Sequence, residues 1–254
     1  MTGILADPVA EAQRVLEEAR RRHVVLRAVG GVGIRLRAPS VARLLPPRDY
    51  HDIDVAGRGG TALTITELYR DLGYESSRRF NTMNGQERLL YWDPVNGRRV
   101  DVFLDMLRMC HALSFRDRLE VDAETLPLAD LALMKLQIVQ LTERDGQDLC
   151  ALLADHDLVE AGDNGISLRR ILGICASDWG WWRTVTGNLD RLVTEWRDKA
   201  ISGPQVQAGI LERAVERATR LRARLDETPK STRWKMRAAV GERRTWYELP
   251  EEIR

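Results

Sequence analysis

The sequence predicts an α+β fold: a mixed β-sheet flanked by helices over residues 1–122, then a helical bundle over 123–254 that ends in a basic segment. Three observations predict it. Short apolar runs of strand character alternate with helical periods in the first half. Asn96-Gly97, the strongest short hairpin signal, separates two of those runs. From Thr125 onward the period is helical almost to the end.

Asp7-Pro8 opens the first helix with an N-cap acid and a proline at the first turn, and Glu11 follows near the positive end of the dipole. Val9, Ala12, Val15, Leu16 and Ala19 carry its apolar stripe, and Arg20-Arg21-Arg22-His23 ends it. Val24–Val29 reads as a strand that Gly30-Gly31 ends, with Gly33 close behind. Glycine there permits positive φ and close approach of backbone to a ligand. Ile34–Arg37 and Val41–Leu45 read as a short helix broken by Pro39, whose N-terminal N–H groups suit a phosphate. After the loop at Pro46–Tyr50, His51–Ala56 is a strand with two acids, ended by Gly57, Gly59 and Gly60. Thr64–Gly73 is an amphipathic helix and Tyr74–Phe80 a strand. Glu87–Trp92 and Arg98–Leu104 form the hairpin. In the second half, Leu126–Val139 is one largely apolar helix with Lys135 in its middle. Glu143–Asp148 leads into another helix with Asp148 at its polar edge. Ser167–Ile174, Thr186–Lys199 and Gln205–Asp226 complete the bundle. Trp179, Trp181 and Trp182 read as filler between helices.

The chain has 254 residues, 44% hydrophobic and 30% charged, an ordinary globular balance. Its net charge of +1 favours no class of partner; only local clusters can. One such cluster is 212–244, where 11 Lys/Arg face 5 Asp/Glu with Trp234, Trp246 and Tyr247 nearby. That pattern suits a nucleic-acid backbone, although a helical surface packed back on the protein is its more common meaning. Cys110, Cys150 and Cys175, without a CxxC pair, read as reduced buried thiols of a cytoplasmic protein. No apolar run approaches the ~20 residues of a membrane span, and no secretory leader is expected.

The chemistry concentrates in the acids. Asp52 and Asp54, two apart on a strand, share a face, and Asp101 adds a third carboxylate from the hairpin. Acid is disfavoured inside an apolar strand and costly when buried unpaired, so such a pair is either exposed on an edge or binds something. With Gly30-Gly31, Asp52-x-Asp54, Asp101, Lys135 and Asp148 in order, the chain resembles the nucleotidyltransferase superfamily of DNA polymerase beta-like fold. Its helical half is similar to the AbiEii/MenT-like branch, in which a helical lysine precedes an Arg-Asp-x-x-Asp-Leu signature; here these are Lys135 and Arg144–Leu149. His51 stands where the branch often has Ser or Thr. The interval from Gly31 to Asp52 is wider than the usual motif.

The resemblance implies transfer of a nucleoside monophosphate from an NTP to an acceptor hydroxyl, with Mg²⁺ (or Mn²⁺) as cofactor. Asp52, Asp54 and Asp101 would be the metal and catalytic acids. Gly30, Gly31, Arg35 and Lys135 would meet the nucleotide phosphates, with Arg27 a further phosphate contact, and Asp148 would orient Lys135 or the acceptor. The resemblance leaves the acceptor open; the basic C-terminal segment favours RNA, such as tRNA for a toxin with a cognate antitoxin. The alternatives are a small-molecule or protein acceptor, and a non-catalytic binding module of the same fold.

Overall fold

The computed structural model describes residues 3–202 and 205–249. The chain forms two units. The first is Met1–Arg37, Asp49–Leu107 and Ser114–Pro127; the second is Ala38–Arg48, Arg108–Leu113 and Leu128–Arg254. The expected boundary at 122/123 thus misses two excursions, at 38–48 and 108–113, that the chain makes into the second unit.

The first unit is built on a five-stranded mixed sheet of order β1-β2-β5-β4-β3. Its strands are β1 (Leu26–Val29), β2 (Asp52–Gly57), β3 (Glu75–Ser76), β4 (Arg88–Asp93) and β5 (Arg98–Leu104). Only the β2–β5 pair is parallel. Helix α1 (Pro8–Arg21) starts where Asp7 accepts the Ala10 N–H at 2.7 Å. It buries Ala12, Val15, Leu16 and Ala19 in the core. Glu11, in the first turn as expected, is buried: it accepts from the Tyr74 hydroxyl at 2.6 Å and from Arg14 at 2.7 Å. Helix α3 (Ala62–Asp71) contributes Ile65, Leu68 and Tyr69 to the same core, and Tyr69 stacks on Tyr91 at 4.3 Å.

Two local expectations are corrected here. Helix α2 (Gly30–Arg37) begins at Gly30 itself, and Pro39 opens a separate 3₁₀ turn, Pro39–Arg43. The strand expected over Tyr74–Phe80 is only two residues long and is followed by helix α4 (Arg78–Asn84). The Asn81 side chain supplies what a longer strand would: Oδ1 accepts the Leu90 N–H at 2.7 Å and Nδ2 donates to the Leu90 carbonyl at 3.2 Å.

Beyond the sheet come two three-residue strands, β6 (Met106–Arg108) and β7 (Ala112–Ser114). The second unit is helical: α5 (Leu128–Leu136), α6 (Glu143–Asp155), α7 (Leu168–Ser177), α8 (Trp179–Ser202), α9 (Gln205–Glu227) and α10 (Thr232–Val240). Before α7 it holds a parallel pair absent from the sequence reading, β8 (Leu158–Val159) with β9 (Ile166–Ser167). Helix α5 stops short of Val139 because Asn188 caps it, donating to the Leu136 and Ile138 carbonyls, both at 2.9 Å. Helix α8 starts at Trp179 rather than Thr186, where Asp178 accepts the Trp181 N–H at 3.1 Å. Trp179 and Trp181 are buried, as filler between helices should be, while Trp182 is only half-buried.

Much of the basic stretch is spent inside the unit. Arg217 donates to the Leu153 and Ala154 carbonyls at the end of α6 and pairs with Asp157. Arg222 pairs with Asp190 and Asp226, and Arg224 with Glu160. The three cysteines are buried free thiols, and burial pushes Cys150 and Cys175 up to about 12. Among the described residues no helix is long and apolar enough to cross a membrane.

Candidate active site

The sheet of the first unit has one apolar and one charged face. Ile53, Val55, Val100, Val102 and Leu104 point into the core. Strand alternation therefore sends Asp52, Asp54, Arg99 and Asp101 to the other side, together with Arg27 of β1. Register completes the arrangement: Asp54 lies opposite Asp101 on the parallel neighbour, Asp52 opposite Arg99, and Val29 opposite Asp54. Side chains directly opposite on adjacent strands stand about 5 Å apart at Cβ. The wide interval between glycines and acids is thus closed by antiparallel pairing of β1 with β2.

Gly30, one residue past Val29, shows what that pairing requires. Its φ is +61°, and a Cβ there would lie 2.3 Å from Asp54 Oδ2. Only glycine admits both the backbone turn and the close carboxylate. Helix α2 starts at this point, with Gly31 in its first turn and Arg35 half-buried near its end. Asp52 is exposed at the start of β2, Asp54 is half-buried and Asp101 is buried.

Two arginines that the sequence reading passed over hold Asp101. Arg88 approaches Oδ1 with Nη2 at 2.6 Å and donates to it from Nε at 2.7 Å. The Arg88 guanidinium also sits 4.9 Å over the Phe103 ring. Arg99 Nε is 2.9 Å from Oδ2 but is not aligned to donate, so that buried oxygen and that nitrogen both lack a hydrogen bond. Arg99 was legible by alternation, being two residues before Asp101. Arg88 needed the hairpin register, which pairs Leu90 with Asp101. Arg27 Nε on the same face is a further buried atom with no hydrogen bond, and burial pulls its guanidinium below its ordinary value against Asp122 and Glu120.

These orphaned atoms are the test of whether a metal suits this face. Mg²⁺ takes hard oxygen ligands and commonly binds through one or two carboxylates plus substrate phosphates. Asp54 and Asp101, in register, are such a pair, and Asp101 Oδ2 has coordination to spare. Among the described residues no three His, Cys, Asp or Glu side chains form a cage. The donor set fits a metal shared with phosphate rather than one caged by protein.

The other predicted residues belong to the second unit and meet each other there. Lys135 Nζ lies 2.7 Å from Asp145 Oδ1 and 3.0 Å from Asp148 Oδ2. Asp148 is fully buried rather than at the polar edge of its helix, and Arg48 Nε reaches its Oδ1 at 3.1 Å. Asp145 also closes the capping box of α6, its Oδ2 accepting the Thr142 N–H at 3.0 Å and hydroxyl at 2.7 Å. Burial works against the lysine's charge, but Asp148 and Asp145 outweigh it and hold its pKa above the ordinary value. Burial likewise pushes Asp145 up, and Lys135 and Thr142 outweigh that and hold it down. Arg48 and Asp145 were missed as partners because their roles depend on contacts distant in sequence or on a helix cap.

Asp105, one residue past the end of β5, is committed elsewhere. It sits at φ +59° and accepts from the Gly59 N–H at 2.9 Å and from Arg116 at 2.7 Å.

No family model matches this chain, and no curated protein matches it. Among solved structures it is similar to that of the antibiotic-resistance factor ANT(2'')-Ia, with a TM-score of 0.36 and 11% identity over 92% of this chain and 95% of that one. A likeness at that level carries no argument about fold or activity.

Proposed function

We propose that the charged face of the sheet binds a nucleoside triphosphate with Mg²⁺ and transfers the nucleoside monophosphate to an acceptor hydroxyl, releasing pyrophosphate. The observation that carries this is the Asp54–Asp101 pair in register beside Gly30, with Asp101 Oδ2 buried and short of a hydrogen bond. When bound, Mg²⁺ lowers the pKa of the attacking hydroxyl and neutralises phosphate charge. Asp54 and Asp101 would hold it together with the substrate phosphates, with Asp52 at the exposed strand start a further carboxylate on the same face. The Gly30-Gly31 turn and the start of α2 offer backbone N–H groups to the phosphates. Arg27 and Arg35 add positive charge for them. Lys135 is kept protonated by Asp148 and Asp145, and Asp148 orients it, which suits it to a phosphate. The acceptor in this reading is an RNA hydroxyl, with a small-molecule or protein hydroxyl as the alternative. A cognate antitoxin belongs to the RNA version alone.

Arg88 and Arg99 favour a second reading. They already neutralise Asp101, as a module that binds nucleotide without turnover would allow. The experiment is label transfer from α-³²P-NTPs in Mg²⁺ to tRNA, total protein and small hydroxyl compounds, beside Mn²⁺ binding followed by electron paramagnetic resonance. Transfer that disappears in Asp54→Ala is expected. Transfer surviving both Asp54→Ala and Asp101→Asn sinks the site, and Mn²⁺–NTP binding without any transfer selects the second reading.

A further inference from the structure

A cavity of about 620 Å³ opens in the second unit where α8 begins, beside α10 and the segment after it. That volume is ordinary for a small-ligand site. Its wall is aromatic: Trp179, Trp234, Trp246 and Tyr247 all line it. The rings are fixed by packing, Trp179 edge-on to Trp246 at 5.7 Å, Trp246 to Tyr247 at 5.2 Å and Trp234 to Trp182 at 5.3 Å. The returning segment is pinned by three contacts. Trp246 Nε1 donates to the Thr184 hydroxyl at 3.0 Å, and the Glu248 N–H donates to the Cys110 carbonyl at 3.1 Å. Gly180 lets the backbone of Trp246 close in, since a Cβ there would be 2.8 Å from its carbonyl oxygen.

The charge of the cavity is positive and partly unspent. Arg237 is used by the fold, lying 4.6 Å over Trp179 and donating to the Gly241 and Arg244 carbonyls. Asp178 is used as the cap of α8. The exposed side chains of Arg233 and Arg244, by contrast, make no hydrogen bond or ion pair among the described residues. Trp234 Nε1 is buried and has no acceptor. A buried N–H without an acceptor carries a cost that a ligand acceptor would offset. A preformed aromatic wall, two uncommitted guanidinium groups and an unused indole N–H together ask for a planar ring carrying an anion. Aromatic stacking suits any base, and arginine suits phosphate geometry.

We propose that this cavity binds a nucleoside phosphate, with the base against Trp234 and Tyr247 and the phosphate on Arg233 and Arg244. The ligand is either a free mononucleotide or an unpaired nucleotide of a single strand, which present the same chemistry. Its lining lies wholly in the second unit, so the inference does not depend on transfer by the strand carboxylates.

The test uses the full chain carrying Asp54→Ala, in EDTA, so that nucleotide binding at the sheet does not contribute. Tryptophan quenching by AMP, and anisotropy of a short fluorescein-labelled oligouridylate, are measured with and without Arg233→Ala/Arg244→Ala. Both arginines are exposed and unpartnered, so the double variant keeps the fold, which circular dichroism checks. Saturable binding weakened about tenfold or more by the double variant is expected, with a shallower salt dependence of the oligouridylate. Trp234→Phe keeps the ring, loses the N–H and weakens AMP binding several-fold. Oligouridylate bound far more tightly than AMP assigns the site to a strand, and equal affinity assigns it to the free nucleotide. No saturable binding of either probe, or binding unchanged in the double variant, overturns the proposal.

Discussion

Asp101 in the first unit and Lys135 in the second are near mirror images. One is a buried anion between two arginines, the other a buried cation between two aspartates. They differ in how completely they are closed. Around Lys135 every carboxylate oxygen has a donor: Asp145 Oδ1 has the lysine and Oδ2 has Thr142, while Asp148 Oδ1 has Arg48 and Oδ2 has Lys135. Around Asp101, Arg88 crowds onto Oδ1 while Oδ2, buried, receives no hydrogen bond. A satisfied network rigidifies a core, whereas an unsatisfied buried charge is held open at a cost that a ligand can offset. On the proposed function, stability rests chiefly on the lysine network and binding chiefly on the acid face.

The largest effect expected is from breaking the closed network. Lys135→Met leaves Asp148 fully buried with Arg48 as its one remaining cation. Removing one partner of a buried pair costs about 3–5 kcal/mol. Urea unfolding should show a loss of that size, partly restored in Lys135→Arg. A loss below about 1 kcal/mol would mean the lysine is not structural, and would return it to the phosphates alone.

The same network should have a signature in pH. Asp145 is held below its ordinary value of 3.8, so its contribution is present above that value and fades as pH falls through the folded value. Lys135 is held above 10.5, so its contribution is full below that and fades only as pH rises through a still higher folded value. Stability from this network is thus level between about pH 5 and 9. Acid unfolding of the wild type should be steeper below about pH 4 than that of Lys135→Met, and equal steepness would contradict the pairing.

On the other side of the comparison, Gly30→Ala should separate binding from stability. A left-handed backbone costs a non-glycine residue about 1–2 kcal/mol. The added Cβ would also displace the Asp54 carboxylate from its place beside the α2 turn. We expect that modest loss of stability together with a larger, roughly hundredfold loss of Mn²⁺–NTP affinity, equivalent to about 2.8 kcal/mol. Affinity falling no more than stability would remove the glycine from the site.

These contrasts also show what the sequence made legible. The acid pair, the hairpin and the helical second half follow from alternation, an Asn-Gly turn and period, all local signals. That Asp54 lies opposite Asp101 needed the order and register of β2 and β5 in the sheet, which local signals do not carry. Arg88, Arg48 and the burial of Asp148 were not legible, because each depends on register or on packing between segments far apart in sequence. Helix α4 hid for a related reason. A polar side chain, Asn81, does the work of strand backbone, which no periodicity reports.

The smallest effect on stability should come from Asp101→Asn, although Asp101 is as buried as Asp148. Its partners decide this: the Arg88 and Arg99 side chains are 28% and 39% exposed, so water can take over their charges when the carboxylate is lost. An amide in the same place keeps an acceptor for Arg88. Partly solvated pairs contribute about 1 kcal/mol, and urea unfolding of Asp101→Asn should fall by no more than about that. Mn²⁺ binding, in contrast, should be lost, since an amide oxygen carries no charge to offer the metal. If stability fell as far as in Lys135→Met while Mn²⁺ affinity held, the two regions would exchange roles, and Asp101 would be a structural anion rather than a ligand.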